Sequence, residues 1–286
     1  MDFNKITSFI CNRLPIEVVC WKKEFDHCVP SVPGQYLLRR AGRPLSDIGL
    51  PENAPFVCVH VREGGYYGWK EGPGKQIRNA NIKNYLEAIR YLTDHGYWVV
   101  RLGDKTMTPL PEFSAVIDYA LSEHKSDETD IALVANCEFY IGHNSGPWDV
   151  ANLLCKPIMM PNMTDFFLGY PWRSGDLGIF KKIYSKTLSR DLHLEEMLEV
   201  YLDPRCAPSA RSDLDFVENN SQEILELLQE FLQLQFDRAK HSGVASQSPK
   251  MLELTSRRRR VENEVHSMQF RNPIEKDRLI SRLRGC

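Results

Sequence analysis

The sequence lacks the features that would place it in a membrane or on a nucleic acid. No apolar run approaches the roughly 20 residues that a membrane-spanning helix needs. No basic stretch followed by a long apolar one opens the chain, so no signal peptide is predicted. The 36 Lys and Arg nearly balance the 38 Asp and Glu, and the formal net charge is −2. No global field therefore favours nucleic acid or an anionic membrane.

The motifs of several enzyme classes are absent as well. The sequence has no Walker phosphate loop, no Gly-x-Ser-x-Gly, no His-Glu-x-x-His and no clustered Cys/His spacing for a metal. A complete Gly-x-Gly-x-x-Gly is missing too, which disfavours a dehydrogenase. Asp-x-Asp, which often carries a divalent cation in nucleotide-sugar chemistry, occurs only at 213–215, in a segment interpreted as a loop. We predict no metal and no cofactor, and expect Arg, His and a helix dipole to neutralise an anionic ligand.

The eight cysteines are scattered and form no Cys-x-x-Cys pair. Cys58, Cys137 and Cys155 lie in apolar runs, where a small sulfur side chain packs well, and we predict that they are buried free thiols. Free thiols fit a reducing compartment better than a disulfide framework does. The predicted location is the cytoplasm, with peripheral attachment at the inner membrane face as an alternative.

Apolar runs alternate with amphipathic segments from residue 55 onward, which predicts an α/β fold. Residues 56–61 and 97–102 are apolar, β-rich runs typical of buried parallel strands. Between them, residues 81–95 carry apolar side chains at helical spacing and end at Gly96, a common helix-terminating residue. This βαβ unit predicts a Rossmann-like parallel sheet flanked by helices.

A second set of elements continues the predicted domain. We expect a helix at 129–135 capped by Asp127, a strand at 139–141, a helix at 148–154, a strand at 157–160 and a terminal helix at 221–236. Residues 115–119 fit either a short strand or a helix, and both interpretations stay open. The alternation of strands and helices again favours a parallel sheet.

The turn at 142–146 is the most informative stretch of the chain. A strand ends there and a helix begins, with Ser145 as the candidate N-cap and Pro147 in the first turn. The N–H groups and the positive dipole end of such a helix form an anion site. We predict that Asn144, Ser145 and Gly146 bind the phosphates of a nucleotide or nucleotide-sugar. The alternative is an ordinary strand-to-helix connection with a good cap.

His60 and Arg62 stand two residues apart at the end of the first predicted strand. Period two places both side chains on one side, and ligands of open α/β sheets bind outside the carboxyl ends of strands. Arg62 has the planar fork that binds phosphate oxygens at two points, or else it pairs with a surface carboxylate such as Glu63. For His60, a hydrogen bond to a ligand, a role as base and a satisfied core position stay open. We assign both residues to the catalytic site.

Arg101, Gly103 and Asp104 repeat that arrangement at the end of the next strand. Arg101 and Gly103 mark a strand terminus that opens to the same crevice, and we assign them to donor binding. Asp104 joins them as a candidate ligand for ribose hydroxyls, although capping of the next segment is the favoured alternative.

Five segments, taken in order, resemble a bacterial family of glycosyltransferases known mostly by sequence. They are residues 59–62, 78–85, 100–104, 117–120 and 142–146. This family is distantly similar to fucosyltransferase-type GT-B enzymes, whose nucleotide-binding half carries a His-x-Arg strand end. The Ser-Gly turn, its helix and the following Lys-Pro strand are also similar to the donor-binding domain of heptosyltransferases. The resemblance covers residues 55–235.

The resemblance implies a metal-independent glycosyltransferase that moves a sugar from a nucleotide-sugar donor to a surface-polysaccharide or lipid-linked acceptor. It also implies two Rossmann-like domains, of which this chain shows one, at 55–236. Residues 1–54 are too few for a second domain of typical size. We interpret them as a remnant of, or connection to, an acceptor domain, and 237–286 as a mobile basic tail.

Three alternatives for the activity follow from that organisation. Either the chain is the nucleotide-binding half of a longer ancestor, or a partner chain supplies the acceptor side. No nucleic-acid partner is expected, since the arginine run at 257–260 is interpreted as a solvated tail. The chain can be a glycosyltransferase, a non-catalytic nucleotide-sugar-binding module or subunit, or a different enzyme for phosphorylated ligands on the same fold.

Overall fold

A six-stranded parallel sheet organises the protein. The computed structural model describes residues 45–66, 68, 76–143, 145–164, 175–193, 196–197, 200 and 211–240. The strands are β1 Phe56–His60, β2 Trp98–Arg101, β3 Val116–Ile117, β4 Tyr140–Gly142, β5 Ile158–Met163 and β6 Leu177–Phe180. Their order is β3-β2-β1-β4-β5-β6, and all pairs are parallel. This is the Rossmann order, which confirms the predicted fold class.

Helices cover both faces of the sheet. They are α1 Leu86–Asp94, α2 Asp127–Asn136, α3 Gly146–Leu153 and α4 Ser221–Lys240, with 3₁₀ turns at Ser46–Ile48, Ile82–Tyr85 and Tyr119–Leu121. Along β1, Val57 and Val59 pack in one apolar cluster with α1 and α4. Phe56 and Cys58 pack in a second cluster with α2 and α3. The alternation follows from the two-residue period of a strand, and it gives the sheet one core on each face.

The element boundaries correct three details of the sequence interpretation. Helix α2 is capped by Ser126, whose Oγ accepts a 3.1 Å hydrogen bond from the Thr129 backbone, so the predicted cap at Asp127 is wrong. Residues 115–119 contain both a short strand and the start of a 3₁₀ turn. The helix predicted at 81–95 begins as a 3₁₀ turn at Ile82–Tyr85, and Asn81 caps this turn by accepting a 3.0 Å hydrogen bond from the Lys83 backbone.

A small antiparallel sheet follows the large one, and the sequence analysis missed it. It consists of β7 Lys182–Ser185, β8 Arg190–Asp191 and β9 Leu214–Val217, in the order β8-β7-β9. The interpretation of 213–215 as a loop is therefore wrong. Only Leu214 of β9 is buried, in a cluster around Ile183. One buried side chain in a four-residue strand gives too little apolar pattern for a prediction.

Of the three cysteines predicted to be buried free thiols, two are found as such. Cys58 and Cys137 are buried free thiols, as predicted. Cys155 is disulfide-bonded, so the prediction of a free thiol there is wrong.

Within the described residues, no helix has the length and apolarity to cross a bilayer. Most of the predicted N-terminal segment, up to residue 44, and the tail from residue 241 lie outside the described residues.

Candidate functional site

The candidate site lies where the order of the strands reverses, between β1 and β4. His60 at the end of β1 pairs in register with Gly142 at the end of β4. A Cβ atom at Gly142 would lie 2.7 Å from the His60 carbonyl oxygen and 2.7 Å from the Tyr140 hydroxyl. Only glycine fits this approach. Open α/β sheets bind ligands outside the carboxyl ends of the strands at such a switch point.

Ser145 occupies the N-cap position of α3, as predicted, but its hydroxyl does not cap the helix. Its backbone is extended, with φ −162° and ψ 167°, and the side chain makes no capping hydrogen bond. Its Oγ instead lies 3.2 Å from Nδ1 of His60. Because the hydroxyl turns toward β1, it does not compete with a ligand for the first amides of α3. Gly146 and Pro147 form the start of that helix.

Burial sets the chemistry of His60. The residue is 7% exposed, and its burial, followed by the positive charge of Arg101, lowers the pKa of His60 to about 3. A general base works best with a pKa near the operating pH, so His60 is a weak base at neutrality. It is also too weak to activate Ser145 as a nucleophile. The low pKa of His60 disfavours the role as base, and the contact with Ser145 fits the satisfied core position. A hydrogen bond to a ligand stays a prediction.

His143, at the end of β4, carries an unsatisfied donor that the sequence analysis did not identify. The residue is 2% exposed, and burial lowers the pKa of His143 well below its usual value, with His60 as the next cause. Its Nε2 accepts a 3.4 Å hydrogen bond from the Arg62 backbone. In a neutral imidazole the proton then resides on Nδ1. That Nδ1 is buried and has no hydrogen-bond partner in the described structure.

Arg62 is buried beside His143 and holds the next segment of chain. Its Nη1 donates a short hydrogen bond to Oδ1 of Asn79, and its carbonyl accepts a 2.8 Å bond from Ala80. The alternative partner considered from the sequence, Glu63, bonds to Arg101 instead. Arg62 is 7% exposed, so its side chain is largely shielded from solvent. Its contact with a phosphate stays a prediction.

Arg101 serves the fold rather than the crevice. It is 0% exposed, and its guanidinium bonds to Glu63 at 3.1 Å, Asp118 at 3.2 Å and the Thr108 carbonyl at 2.6 Å. These partners take up the terminal nitrogens that a phosphate would need. Arg101 thus lies close enough to His60 to lower its pKa, but its guanidinium is committed to these partners, which disfavours the predicted role in donor binding.

Gly103 and Asp104 also have local structural roles. The backbone of Gly103 has φ 158°, which L side chains rarely adopt, and a Cβ atom there would overlap Sδ of Met107, so the local structure favours glycine. Oδ1 of Asp104 accepts hydrogen bonds from the Thr106 backbone at 2.8 Å and its hydroxyl at 2.5 Å. This is the capping arrangement that the sequence favoured for Asp104. Asn144 lies outside the described residues.

The described residues hold no group of three or more His, Cys, Asp or Glu side chains that could bind a metal ion. What the site does bring together is neutral imidazoles, a helix N-terminus and basic side chains. Arg62, Arg78 and Lys181 are all near enough to His143 to lower its pKa further, after burial and His60. Lys181 follows β6 directly, and the sequence analysis did not identify it. Such a set suits a phosphorylated ligand.

Replacing Ser145 by alanine tests the bond to His60. We expect Ser145→Ala to lower the free energy of unfolding by about 1 kcal/mol. In a double-mutant cycle, the same substitution should cost less when His60 has already been replaced by leucine. Urea unfolding of the single and double variants measures the coupling, expected at about 0.5–1 kcal/mol. Ser126→Ala is the control, because that serine does cap a helix and should show no coupling to His60. Additive losses for Ser145 and His60 would contradict the bond.

Comparison with known proteins gives a distant likeness. No family model matches the chain, and no curated protein matches it. ADP-heptose LPS heptosyltransferase II of E. coli is 17% identical, with a TM-score of 0.40, over 71% of this chain and 52% of that one. The iron-containing heptosyltransferase TibC, in complex with ADP-D-beta-D-heptose, is 13% identical, with a TM-score of 0.36, over 65% of this chain and 48% of that one. The chain thus spans about half the length of these two structures.

Proposed function

We propose that this chain is the nucleotide-binding part of a metal-independent GT-B glycosyltransferase. The observation that carries the proposal is the unsatisfied Nδ1 of His143, buried at the switch point beside basic side chains. A buried N–H donor without a partner costs free energy, and a phosphate oxygen would satisfy it. The segments that resemble glycosyltransferases include both edges of this site, at 59–62 and 142–146.

In this proposal each part of the site has a separate task. Arg62 and the first turn of α3, at Ser145 and Gly146, bind the donor phosphates, with Asn144 as a further candidate. His60 orients Ser145 through their 3.2 Å contact and serves binding rather than proton transfer. The acceptor is a carbohydrate or lipid-linked sugar of polysaccharide biosynthesis, and a partner chain or domain supplies the acceptor side. The domain is proposed to span 55–236, in a cytoplasmic protein.

A non-catalytic nucleotide-sugar-binding module is the second candidate. The low pKa of His60, about 3 because of burial, favours it, since the imidazole predicted to be catalytic is a poor base. The two candidates differ in turnover. A glycosyltransferase consumes the donor by transfer or slow hydrolysis, whereas a binding module leaves it intact.

A thermal-shift panel tests the proposal. UDP-, GDP-, ADP-, CMP- and dTDP-sugars are added to the full chain in excess EDTA, and the melting temperature is measured. A ligand that binds only the native state stabilises it by about 2.7 kcal/mol at 100 times its dissociation constant. We expect one nucleotide class to stabilise the chain without metal. A strict requirement for added Mg²⁺ or Mn²⁺ would count decisively against the proposal, as would stabilisation by none of the nucleotides.

Gly146→Val tests the helix N-terminus as the phosphate site. We expect it to weaken nucleotide binding by about tenfold or more, or ~1.4 kcal/mol, because a branched side chain blocks the close approach of the ligand to the backbone. The fold should be retained, since Gly146 begins α3 rather than lying inside it. Calorimetry with the nucleotide found in the panel gives the affinity. Binding as tight as that of the unmodified chain would show that this turn is only a cap.

A further inference from the structure

The buried ammonium of Lys181 is a part of the site that the proposed phosphate contacts do not use. Lys181 is 3% exposed, and its Nζ donates one 2.5 Å hydrogen bond to the backbone oxygen of Asn79. That acceptor is neutral. A protonated lysine has three N–H donors, and no ion pair joins this one to a carboxylate of the described residues. A buried charge with one neutral partner is costly unless something else compensates it.

Lys181 shares its acceptor residue with a second basic side chain. Asn79 receives Lys181 on its backbone oxygen and Arg62 on its side-chain oxygen. Arg78, the residue before it, is half-buried. Burial lowers the pKa of Lys181, and only Glu218 acts in the opposite direction. Arg62 and Lys181 therefore meet at Asn79, and Arg78 acts with them on His143, so an anion at this segment would face basic side chains.

The unsatisfied donor of His143 lies beside this group. Its Nε2 accepts from the Arg62 backbone at 3.4 Å, and its Nδ1 is buried without a partner in the described structure. Lys181 is close enough to contribute to the lowered pKa of His143, after burial and His60. Two independent features thus call for the same kind of ligand atom. One is a positive charge with spare donors, and the other is a neutral N–H without an acceptor.

We propose that Lys181 is a ligand-binding residue whose ammonium, together with Arg78, holds an anionic phosphate oxygen next to Nδ1 of His143. The inference rests on the proposed function, because it assigns a further contact to the same phosphate-binding site. The competing explanation is that Lys181 only tethers Asn79 across 102 residues of sequence. The two differ in whether the charge of Lys181 is needed or only its hydrogen bond.

The test uses Lys181→Gln and Lys181→Met with inorganic pyrophosphate as the probe, measured by calorimetry on the full chain. Glutamine removes the charge but keeps an N–H donor for the Asn79 carbonyl, whereas methionine removes both. The matched control is Lys182→Gln, because Lys182 is exposed and pairs at 2.7 Å with Glu223 on the surface. We expect Lys181→Gln to bind pyrophosphate about tenfold or more weakly at an unchanged melting temperature, and Lys182→Gln to bind as the unmodified chain does.

The outcomes separate this inference from the proposed function. If the unmodified chain binds pyrophosphate and Lys181→Gln binds it equally well, the inference is overturned and the proposed function stands. If the unmodified chain binds neither pyrophosphate nor any nucleoside diphosphate, both are overturned. If neither uncharged variant folds, NMR titration of the lysine Nζ resonance, assigned by its loss in Lys181→Arg, decides instead. A phosphate at this site raises the pKa of Lys181, and an unchanged pKa with pyrophosphate bound overturns the inference.

Discussion

Replacing Arg101 by methionine is expected to lower the free energy of unfolding by about 3 kcal/mol. The guanidinium is fully buried, and it bonds to Glu63 and Asp118, whose side chains are 11% and 21% exposed. Methionine fills much of the volume but leaves both carboxylates without their cation. The remaining exposure of the two acids places the loss at the lower end of the range for broken buried ion pairs. Urea unfolding, followed by circular dichroism, measures the change.

The same network holds the chain that follows β2. Glu63 accepts a 2.7 Å hydrogen bond from the Thr108 backbone, and Asp118 accepts a 2.9 Å bond from the Leu110 backbone. Arg101 therefore fixes two acids that in turn fix the backbone between β2 and β3. Loss of the arginine should loosen this segment before the whole domain unfolds. Faster hydrogen exchange at Thr108 and Leu110 than elsewhere in the variant would reveal it.

Two controls distinguish this buried network from ordinary charge loss. Arg190→Met removes an arginine that bonds to Glu196 through two 2.7 Å contacts on the surface, and we expect no measurable change in the unfolding midpoint. Adding Glu63→Gln and Asp118→Asn to Arg101→Met should recover part of the loss, because neutral amides are easier to bury than carboxylates. An Arg101→Met chain that unfolds at the midpoint of the unmodified protein would refute the network's role in stability.

Arg101 also shows where sequence reasoning reaches its limit. An arginine at the end of a buried strand looks the same in sequence whether it faces a ligand or an internal carboxylate. Its partners lie 38 and 17 residues away, at distances that no local pattern reveals. Strands β1, β2, β4 and β5 were predictable, because apolar runs such as 56–61 report burial on both faces, whereas β6 and the three strands of the small sheet were not predicted. A strand boundary thus follows from local composition, but the role of a charged residue at that boundary does not.

The same distinction applies within the candidate site. The turn at 142–146 was identified because Ser and Pro at a helix start follow local rules. The roles of His143 and Lys181 depend instead on three-dimensional placement. His143 matters because of one unsatisfied atom, and Lys181 reaches Asn79 from across the sheet. The Ser145 hydroxyl, expected to cap the helix, instead forms a hydrogen bond with His60, which is distant in the sequence.

Arg62→Met is expected to weaken the binding of the nucleotide found in the thermal-shift panel by about 30- to 150-fold, or 2–3 kcal/mol. The expectation rests on the position of Arg62 at the switch point and on its planar fork, which can place two N–H groups on a phosphate. Arg62→Lys keeps the charge but loses the fork, and it should recover only part of the affinity. Calorimetry of the three chains with the same nucleoside diphosphate gives the values.

Asn79→Ala separates direct contact from support. Arg62 donates to Oδ1 of Asn79. If Arg62 acted only by holding this segment, removing its acceptor would weaken binding as much as removing Arg62 itself. We expect Asn79→Ala to lose less affinity than Arg62→Met, because the guanidinium stays at the edge of the sheet and can still reach a phosphate. Equal losses in the two variants would make Arg62 a supporting residue. Unchanged affinity in Arg62→Met, at an unchanged melting temperature, would remove Arg62 from the site altogether.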